Sequence, residues 1–204
     1  MKKIRIRKKK LNESNSLLNE RGIDTNAIIK MLEILFAEEI LAWYQYYIPI
    51  NFMNGMERSA IAEEFKKHAD DELNDHANKL LKRISELGGD AQSLMSFNLK
   101  NIATCEYLAP QPPYSTIQLL KQNILAEKCA IKHYMALCDF VKDKDYTTYD
   151  IAKDILADEE EHLNDLKDFY YDIMGQPYKE DYDELEFISK DMLSNLYNKK
   201  ENFF

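Results

Sequence analysis

Glycine and proline are scarce, at 5 each in 204 residues, which excludes collagen-like, low-complexity and turn-dense β architectures. Cysteine is scarce too: 3 residues, an odd number at wide spacing, do not make the disulfide framework of a small secreted domain. No apolar run approaches a membrane span. The basic stretch Met1 to Lys10 leads into the polar Leu11–Asn19 rather than an apolar segment, so no secretory signal is expected and a reducing cytoplasm is the default compartment. Positive charge is in deficit, with 27 Lys and Arg against 36 Asp and Glu and a net charge of −9. That balance argues against a general nucleic-acid binder and suits a protein that attracts cations. What remains is rich in Leu, Ile, Ala, Glu, Lys and Asp, which favours helices. The length fits one domain with a sizeable core.

Residues 1–20 read as a basic, mobile tail, 21–176 as the folded domain and 177–204 as a C-terminal extension. A first long helix is predicted over about 25–53, capped by Asp24 and ended near Asn54-Gly55. A second covers about 57–87 and stops at Gly88-Gly89. The third starts at Ser115 and reaches about Lys142; the fourth covers about 148–174, entered through Thr147 and Thr148 and ended by Gly175-Gln176-Pro177. The extension carries an amphipathic pattern over about 181–198, a fifth and shorter helix. Short turns inside each pair imply antiparallel hairpins, and the connection over about 90–113 is long enough to run the length of the bundle. The expected fold is therefore all-α, a ferritin-like four-helix bundle with one long crossover.

Each long helix carries an apolar stripe at 3/4 spacing, and each stripe is interrupted near its middle by a glutamate. The first reads Leu32, Phe36, Glu39, Trp43, Tyr46, Ile50, and the second Phe65, Ala69, Glu72, His76, Leu80, Ile84. The third reads Leu120, Ile124, Glu127, Ile131, Tyr134, Cys138, Val141, and the fourth Ile155, Glu159, His162, Leu166, Phe169. The second and fourth stripes add a histidine one turn after the glutamate.

A plain bundle has no use for this pattern, because a buried, unpaired carboxylate is costly and ordinarily takes up a proton. One such glutamate is ordinarily a boundary residue; four at similar depth point to a shared cation. Glu39, Glu72, Glu127 and Glu159 balance two divalent ions, and His76 and His162 complete the set with nitrogen donors. Oxygen and imidazole ligands suit two iron ions, with manganese or zinc possible in their place. The second helix departs from the expected Glu-x-x-His: position 73 is Leu73, and the available acid gives Glu72-x-x-x-His76. An i,i+4 pair still shares a face, and a local π-bulge here would re-aim one side chain. Asp75 is at most an outer partner.

Tyr46 and Tyr134 share faces with Glu39 and Glu127, so each can hydrogen-bond a carboxylate or relay an electron, or serve as core aromatic with a polar tip. Trp43 reads as core. His68 and His133 fall off the ligand positions and read as surface or outer-shell residues. Cys129 lies two residues from Glu127 and so points away from the stripe; Cys138 is on it, about 16 Å along the axis. From the residues alone, each cysteine reads as a buried small hydrophobe.

These stretches resemble the bacterioferritin-type di-iron site of the ferritin-like superfamily. Ile155-Leu156-Ala157-Asp158-Glu159-Glu160-Glu161-His162 is the most specific match, supported by Glu39 with Tyr46 and Glu127 with Tyr134 at the same interval. A closer resemblance is to the Dps-like proteins called thioferritins. It rests on Ile102-Ala103-Thr104-Cys105, the run Ala126 to Ile131, Cys138-Asp139 and Thr148-Tyr149-Asp150-Ile151-Ala152, and extends over about residues 25–175. The resemblance also implies the Glu-x-x-x-His spacing on the second helix, with Glu72 and Glu159 bridging two metals. It alone implies that Cys105 and Cys129 approach each other as a redox pair.

The implied function is oxidation of Fe(II) at the dinuclear site, with hydrogen peroxide preferred over dioxygen, and storage of the ferric product in a dodecameric homo-oligomer. Two rivals remain open at this point. One is a di-iron or di-manganese peroxidase or oxidase that stores nothing; the other is a metal-free DNA-protecting or interaction bundle. Lys2, Lys3, Arg5, Arg7, Lys8, Lys9 and Lys10 offer a DNA contact, although a solvated tail is the simpler reading for so acidic a body.

Overall fold

The computed structural model describes residues 13–95, 102–105 and 112–179. Among these residues every regular element is helical, apart from one isolated parallel bridge between Asn54 and Ser115. The bundle is built from α2 (Thr25–Tyr47), the run α3 (Arg58–Asp70) and α4 (Ala77–Glu86), then α6 (Thr116–Val141) and α7 (Tyr146–Met174). Two short helices flank it: α1 (Glu13–Glu20) before, and α5 (Gln92–Met95) in the crossover. No helix of the described residues is long and apolar enough to cross a membrane.

The helix ends follow local chemistry. The Asp24 side chain accepts from Asn26 N at 2.9 Å, and Ser115 Oγ accepts from Gln118 N at 3.2 Å, each satisfying a backbone donor that a helix start leaves free. The fourth bundle helix starts two residues before its expected position, because Asp145 rather than a threonine caps it, accepting from Thr148 N at 3.1 Å. Its far end closes on Gly175 at φ 64, a left-handed turn that glycine adopts without steric cost. The first bundle helix ends at Tyr47, earlier than expected, and tightens into a 3₁₀ turn over Ile48–Asn51 with Pro49 inside it.

The tail expectation changes in one respect. Residues 13–20 form α1 because Leu18 and, after the turn at Gly22, Ile23 are buried in the main core. Residues 1–12, with the DNA-contact question, and 180–204, with the predicted fifth helix, lie outside the described residues. Tyr178 is described and packs edge-on against Tyr170 at 5.3 Å.

The direction of the helices follows from what meets at each end. Asn54, just past α2, exchanges backbone hydrogen bonds with Tyr114 and Thr116 at the start of α6. At the other end, Arg83 of α4 donates to both carboxylate oxygens of Asp145 at 2.9 Å and to Thr148 Oγ1 at 2.8 Å, at the start of α7. The crossover from α4 to α6 therefore spans the bundle. Two apolar clusters fill it. One includes Ile28, Leu32, Leu35, Leu80, Leu137 and Ile155; the other includes Tyr46, Ile61, Phe65, Leu120, Ile124 and Leu166. Each such fully buried aliphatic side chain stabilises the fold by about 1.5–3 kcal/mol. The stripe glutamates lie in sequence between these clusters, so both ends of the polar layer are sealed by hydrocarbon.

Candidate metal centre

Glu39, Glu72, His76, Glu127, Glu159 and His162 come together in one layer, none more than 4% exposed. Their donor atoms fall into two groups, Glu39–Glu72–His76–Glu159 and Glu72–Glu127–Glu159–His162. Glu72 and Glu159 belong to both. His76 Nδ1 lies 3.0 Å from Glu72, 3.3 Å from Glu39 and 3.4 Å from Glu159, while His162 Nδ1 lies 3.5 Å from Glu72 and 3.6 Å from Glu159.

Between α3 and α4 the helix widens into a π segment, Asp71–His76. The extra residue in that turn lets the four-residue spacing of Glu72 and His76 match the three-residue spacing of Glu159 and His162 on α7. Both histidines then present Nδ1 to the layer and Nε2 outward. His76 Nε2 meets Asp158 at 3.3 Å and His162 Nε2 meets Asp71 at 3.4 Å, a reciprocal pair of carboxylates that orients each ring. Asp75, the expected outer partner, instead bonds Lys79 at the surface.

The tyrosines are reciprocal as well. Tyr46 of α2 donates to Glu127 Oε1 on α6, and Tyr134 of α6 donates to Glu39 Oε1 on α2. Each tyrosine is thus a buried core aromatic whose polar tip bonds a carboxylate, that of the facing helix rather than of its own. Both hydroxyls are held well above the usual phenol range, by burial first and then by the adjoining carboxylates. Trp43 is half-buried, packs against the apolar cluster that holds Tyr46 and Phe65, and stacks on Tyr47 at 5.6 Å.

Electrostatically the layer is frustrated without a cation. Burial, then repulsion from Glu72 and Glu159, pushes Glu39 well above the usual carboxylate range; burial and Glu159 do the same to Glu127. Burial opposes ionisation of Glu72 also, but the adjoining Glu39, His162 and His76 side chains outweigh it and hold Glu72 low. Burial likewise opposes the charge of His162, but the nearby Glu159 and Glu72 carboxylates outweigh it and push it up to about 12. Glu72 Oε1, both oxygens of Glu159 and His162 Nδ1 have no hydrogen-bond partner. Four buried polar atoms left open on three converging side chains fit divalent ions, and the all-oxygen and imidazole set fits iron, manganese or zinc.

Three features go beyond what the residues alone indicated. Cys105 and Cys129, whose approach only the resemblance implied, are joined in a disulfide with Cα atoms 6.1 Å apart, so the small-hydrophobe reading fails for both; only Cys138 is a free, buried thiol. The reason is the crossover, which returns Cys105 to the face of α6 opposite the stripe. Second, His133 is not a surface residue. It is buried against Glu38 at 2.8 Å and Cys105 Sγ at 3.5 Å, and Glu38 Oε1 accepts from Thr104 N, Thr104 Oγ1 and Cys105 N. The signal was available: positions 38 and 133 precede the Glu39–Tyr134 pair by one residue on each helix. Third, His68 is buried too, with its ring stacked on His162 at 4.0 Å; burial, then the charge of His162, lowers its pKa to about 3. A cavity of about 40 Å³ joins Cys105 and Glu38 to Glu39, Glu127 and Glu159, enough for about two or three water-sized molecules.

The family described as "Ferritin-like domain" matches residues 29–173. The chain belongs to the ferritin-like family. It is 36% identical over 154 residues to the DNA protection during starvation protein of Pyrococcus furiosus, covering 74% of this chain and 80% of that one. It is 38% identical to a dodecameric thioferritin, the bacterioferritin-related protein of Bacteroides fragilis, with a TM-score of 0.73 over 80% of this chain and 95% of that one. The bacterioferritin of Rhodobacter capsulatus shares the fold at 21% identity, with a TM-score of 0.56 over 75% of this chain and 90% of that one. This is a Dps-like member of the ferritin-like family.

Proposed function

We propose that this ferritin-like protein is a thioferritin that oxidises Fe(II) at the Glu39–Glu72–His76–Glu127–Glu159–His162 layer, with hydrogen peroxide as its working oxidant, and stores the ferric product. The observation that carries this reading is the overlap of the two donor groups at Glu72 and Glu159. Two ions held by two groups that share two carboxylates are held as a pair, and a pair delivers two electrons to one oxidant.

Iron is substrate here. Glu39 and His76 would together hold one Fe(II), Glu127 and His162 the other, with Glu72 and Glu159 shared between them. Glu39 and Glu127, whose protonated forms burial favours, would release protons as the ions arrive. Reduction of peroxide then balances as two Fe(II), one hydrogen peroxide and two protons giving two Fe(III) and two waters, with the O–O bond cleaved by both electrons together. Release of a one-electron hydroxyl radical is thereby avoided. Tyr46 and Tyr134 fix the Glu127 and Glu39 carboxylates across the bundle, and Asp158 and Asp71 fix the two imidazoles. By analogy with the Bacteroides fragilis protein, which is described as dodecameric, we infer a dodecameric shell as the container for product.

The test is anaerobic loading with about two Fe(II) per chain, followed by stopped-flow mixing with peroxide or with dioxygen. The reading expects faster oxidation by peroxide, consumption of one peroxide per two irons, and a native mass near twelve chains. Retention of only two metals per chain in a small oligomer would instead indicate an enzyme without storage; absence of metal binding would end the reading.

A further inference from the structure

Between α3 and α7 lies a cavity of about 240 Å³ lined by five carboxylates, those of Glu64, Asp71, Asp158, Glu161 and Asp165. Lys67 is also in that lining, and its ammonium is taken up by Glu64 Oε2 at 2.9 Å. His68 and His162 complete the lining, so the acidic recess touches one ligand of the proposed iron centre.

His68 is the anomaly of this recess. It is 2% exposed, and neither of its ring nitrogens has a hydrogen bond. Stacking on His162 accounts for a flat ring but not for a ring with two nitrogens, since phenylalanine would stack as well and leave nothing unsatisfied. The nearest polar atoms are Glu64 Oε1, 3.5 Å from His68 Nε2, and Asp165 Oδ2, 3.7 Å from it. Those separations are long for hydrogen bonds. They are close to what one ion imposes: two donors bound at about 2.1 Å to a common metal stand about 3 to 3.5 Å apart. Glu64 and Asp165 are held by rigid helices, with Glu64 Oε2 pinned by Lys67 and Oε1 left facing the imidazole.

His68 also forms a group with Glu127 and His162, all donor atoms again lying within 4.8 Å of one another. One histidine is thus shared by an outer pair of carboxylates and by the inner layer. We propose that Glu64, His68 and Asp165 form a further divalent-cation site, which captures Fe(II) from the recess and hands it past His162 to the dinuclear centre. The proposal rests on reading that centre as an iron site. Three protein donors leave the remaining positions to water, so the ion exchanges readily, as a transfer site requires. Two carboxylates and one imidazole suit Fe(II) and its close analogue Co(II).

The test uses the full-length, metal-free protein dialysed anaerobically against Co(II), with metal analysis and anomalous scattering from Co(II)-soaked crystals. Wild type should hold about three Co(II) per chain, and His68→Phe and Asp165→Asn about two, with the lost peak lying between positions 64, 68 and 165. Initial Fe(II) oxidation at limiting iron should fall at least about threefold in both variants while the peroxide stoichiometry stays unchanged. Asp165 is half-exposed, so Asp165→Asn keeps the test valid should His68→Phe misfold. Two ions bound in wild type and in both variants overturns this site alone. No ion bound in wild type overturns the centre as well.

Discussion

Replacing Glu127 with glutamine separates a carboxylate kept for metal from one kept for structure. In the metal-free protein burial and then the neighbouring Glu159 push Glu127 well above the usual carboxylate range, which favours its protonated form. A glutamine is nearly isosteric with that protonated acid and leaves an oxygen to accept the Tyr46 hydroxyl, which Glu127 Oε1 accepts in the native protein. Metal-free Glu127→Gln should therefore lie within about 1 kcal/mol of wild type. An ionised carboxylate in a buried pair would behave otherwise, with loss of about 3–5 kcal/mol.

With metal the order reverses. Each ion present at about one hundred times its dissociation constant adds about 2.7 kcal/mol, so a filled pair adds roughly 5 kcal/mol. Losing one carboxylate weakens its ion by about a hundredfold. That ion's share then falls to about 0.4 kcal/mol, and the metal-induced gain to about 3 kcal/mol. Guanidinium unfolding followed by circular dichroism, with EDTA and with Co(II) at one fixed protein concentration, measures both quantities. A loss near 3 kcal/mol without metal, or an undiminished gain with it, would refute the assignment.

Metal loading should strengthen with pH. Glu39 and Glu127 are raised and His162 reaches about 12, so the metal-free layer carries protons at neutral pH that the ions must displace. Apparent affinity should rise about tenfold per pH unit for each net proton released between about pH 6 and 8, read by calorimetry in buffers of different ionisation enthalpy; heats independent of buffer would contradict it. Arg83→Met breaks the bidentate bond to buried Asp145 and should cost about 3–5 kcal/mol in denaturant unfolding. A change below about 1 kcal/mol would show that the pair does not tie α4 to α7. Glu38→Ala removes the acceptor shared by Thr104 and Cys105 and the partner of His133. It should speed reduction of the Cys105–Cys129 bond by dithiothreitol at least about threefold, as local opening grows easier; an unchanged rate would place the anchor elsewhere.

What one helix says about itself was legible. The 3/4 stripes with glutamates at Glu39, Glu72, Glu127 and Glu159 gave the buried faces, and Asp24, Ser115 and Gly175 marked three helix ends. The awkward four-residue step from Glu72 to His76 admitted the π segment that the structure contains. What depends on the rotation of one helix against another was not legible. Asp71 and Asp158 sit one residue before Glu72 and Glu159 and look, in their own helices, like solvent-facing acids. They become partners of His162 and His76 only because the two helices face each other with reciprocal register. The surface reading of His133 and His68 fails for the same reason, each being off its own stripe yet covered by a neighbouring element, while the outer-shell alternative holds for His68, stacked on His162. The α1 helix escaped because, among its described side chains, only Leu18 is buried, too little for a periodicity.

The reciprocal contacts have a mechanical meaning. Glu39 is held by a tyrosine from α6 and Glu127 by a tyrosine from α2, while His76 is held from α7 and His162 from the π segment. No carboxylate or imidazole in that set is oriented by its own helix alone. Sliding one hairpin against the other therefore disturbs the outer contacts of all four groups at once. This makes the layer stiff in the direction that would change the spacing between its two halves, and a fixed spacing is what lets a pair of ions act on one oxidant together. The cost is the frustrated layer itself, two carboxylates kept from ionising by burial and crowding. The apolar clusters on either side absorb that cost. The same charge that destabilises the empty layer draws divalent cations into it, so stability spent at Glu39 and Glu127 returns as affinity.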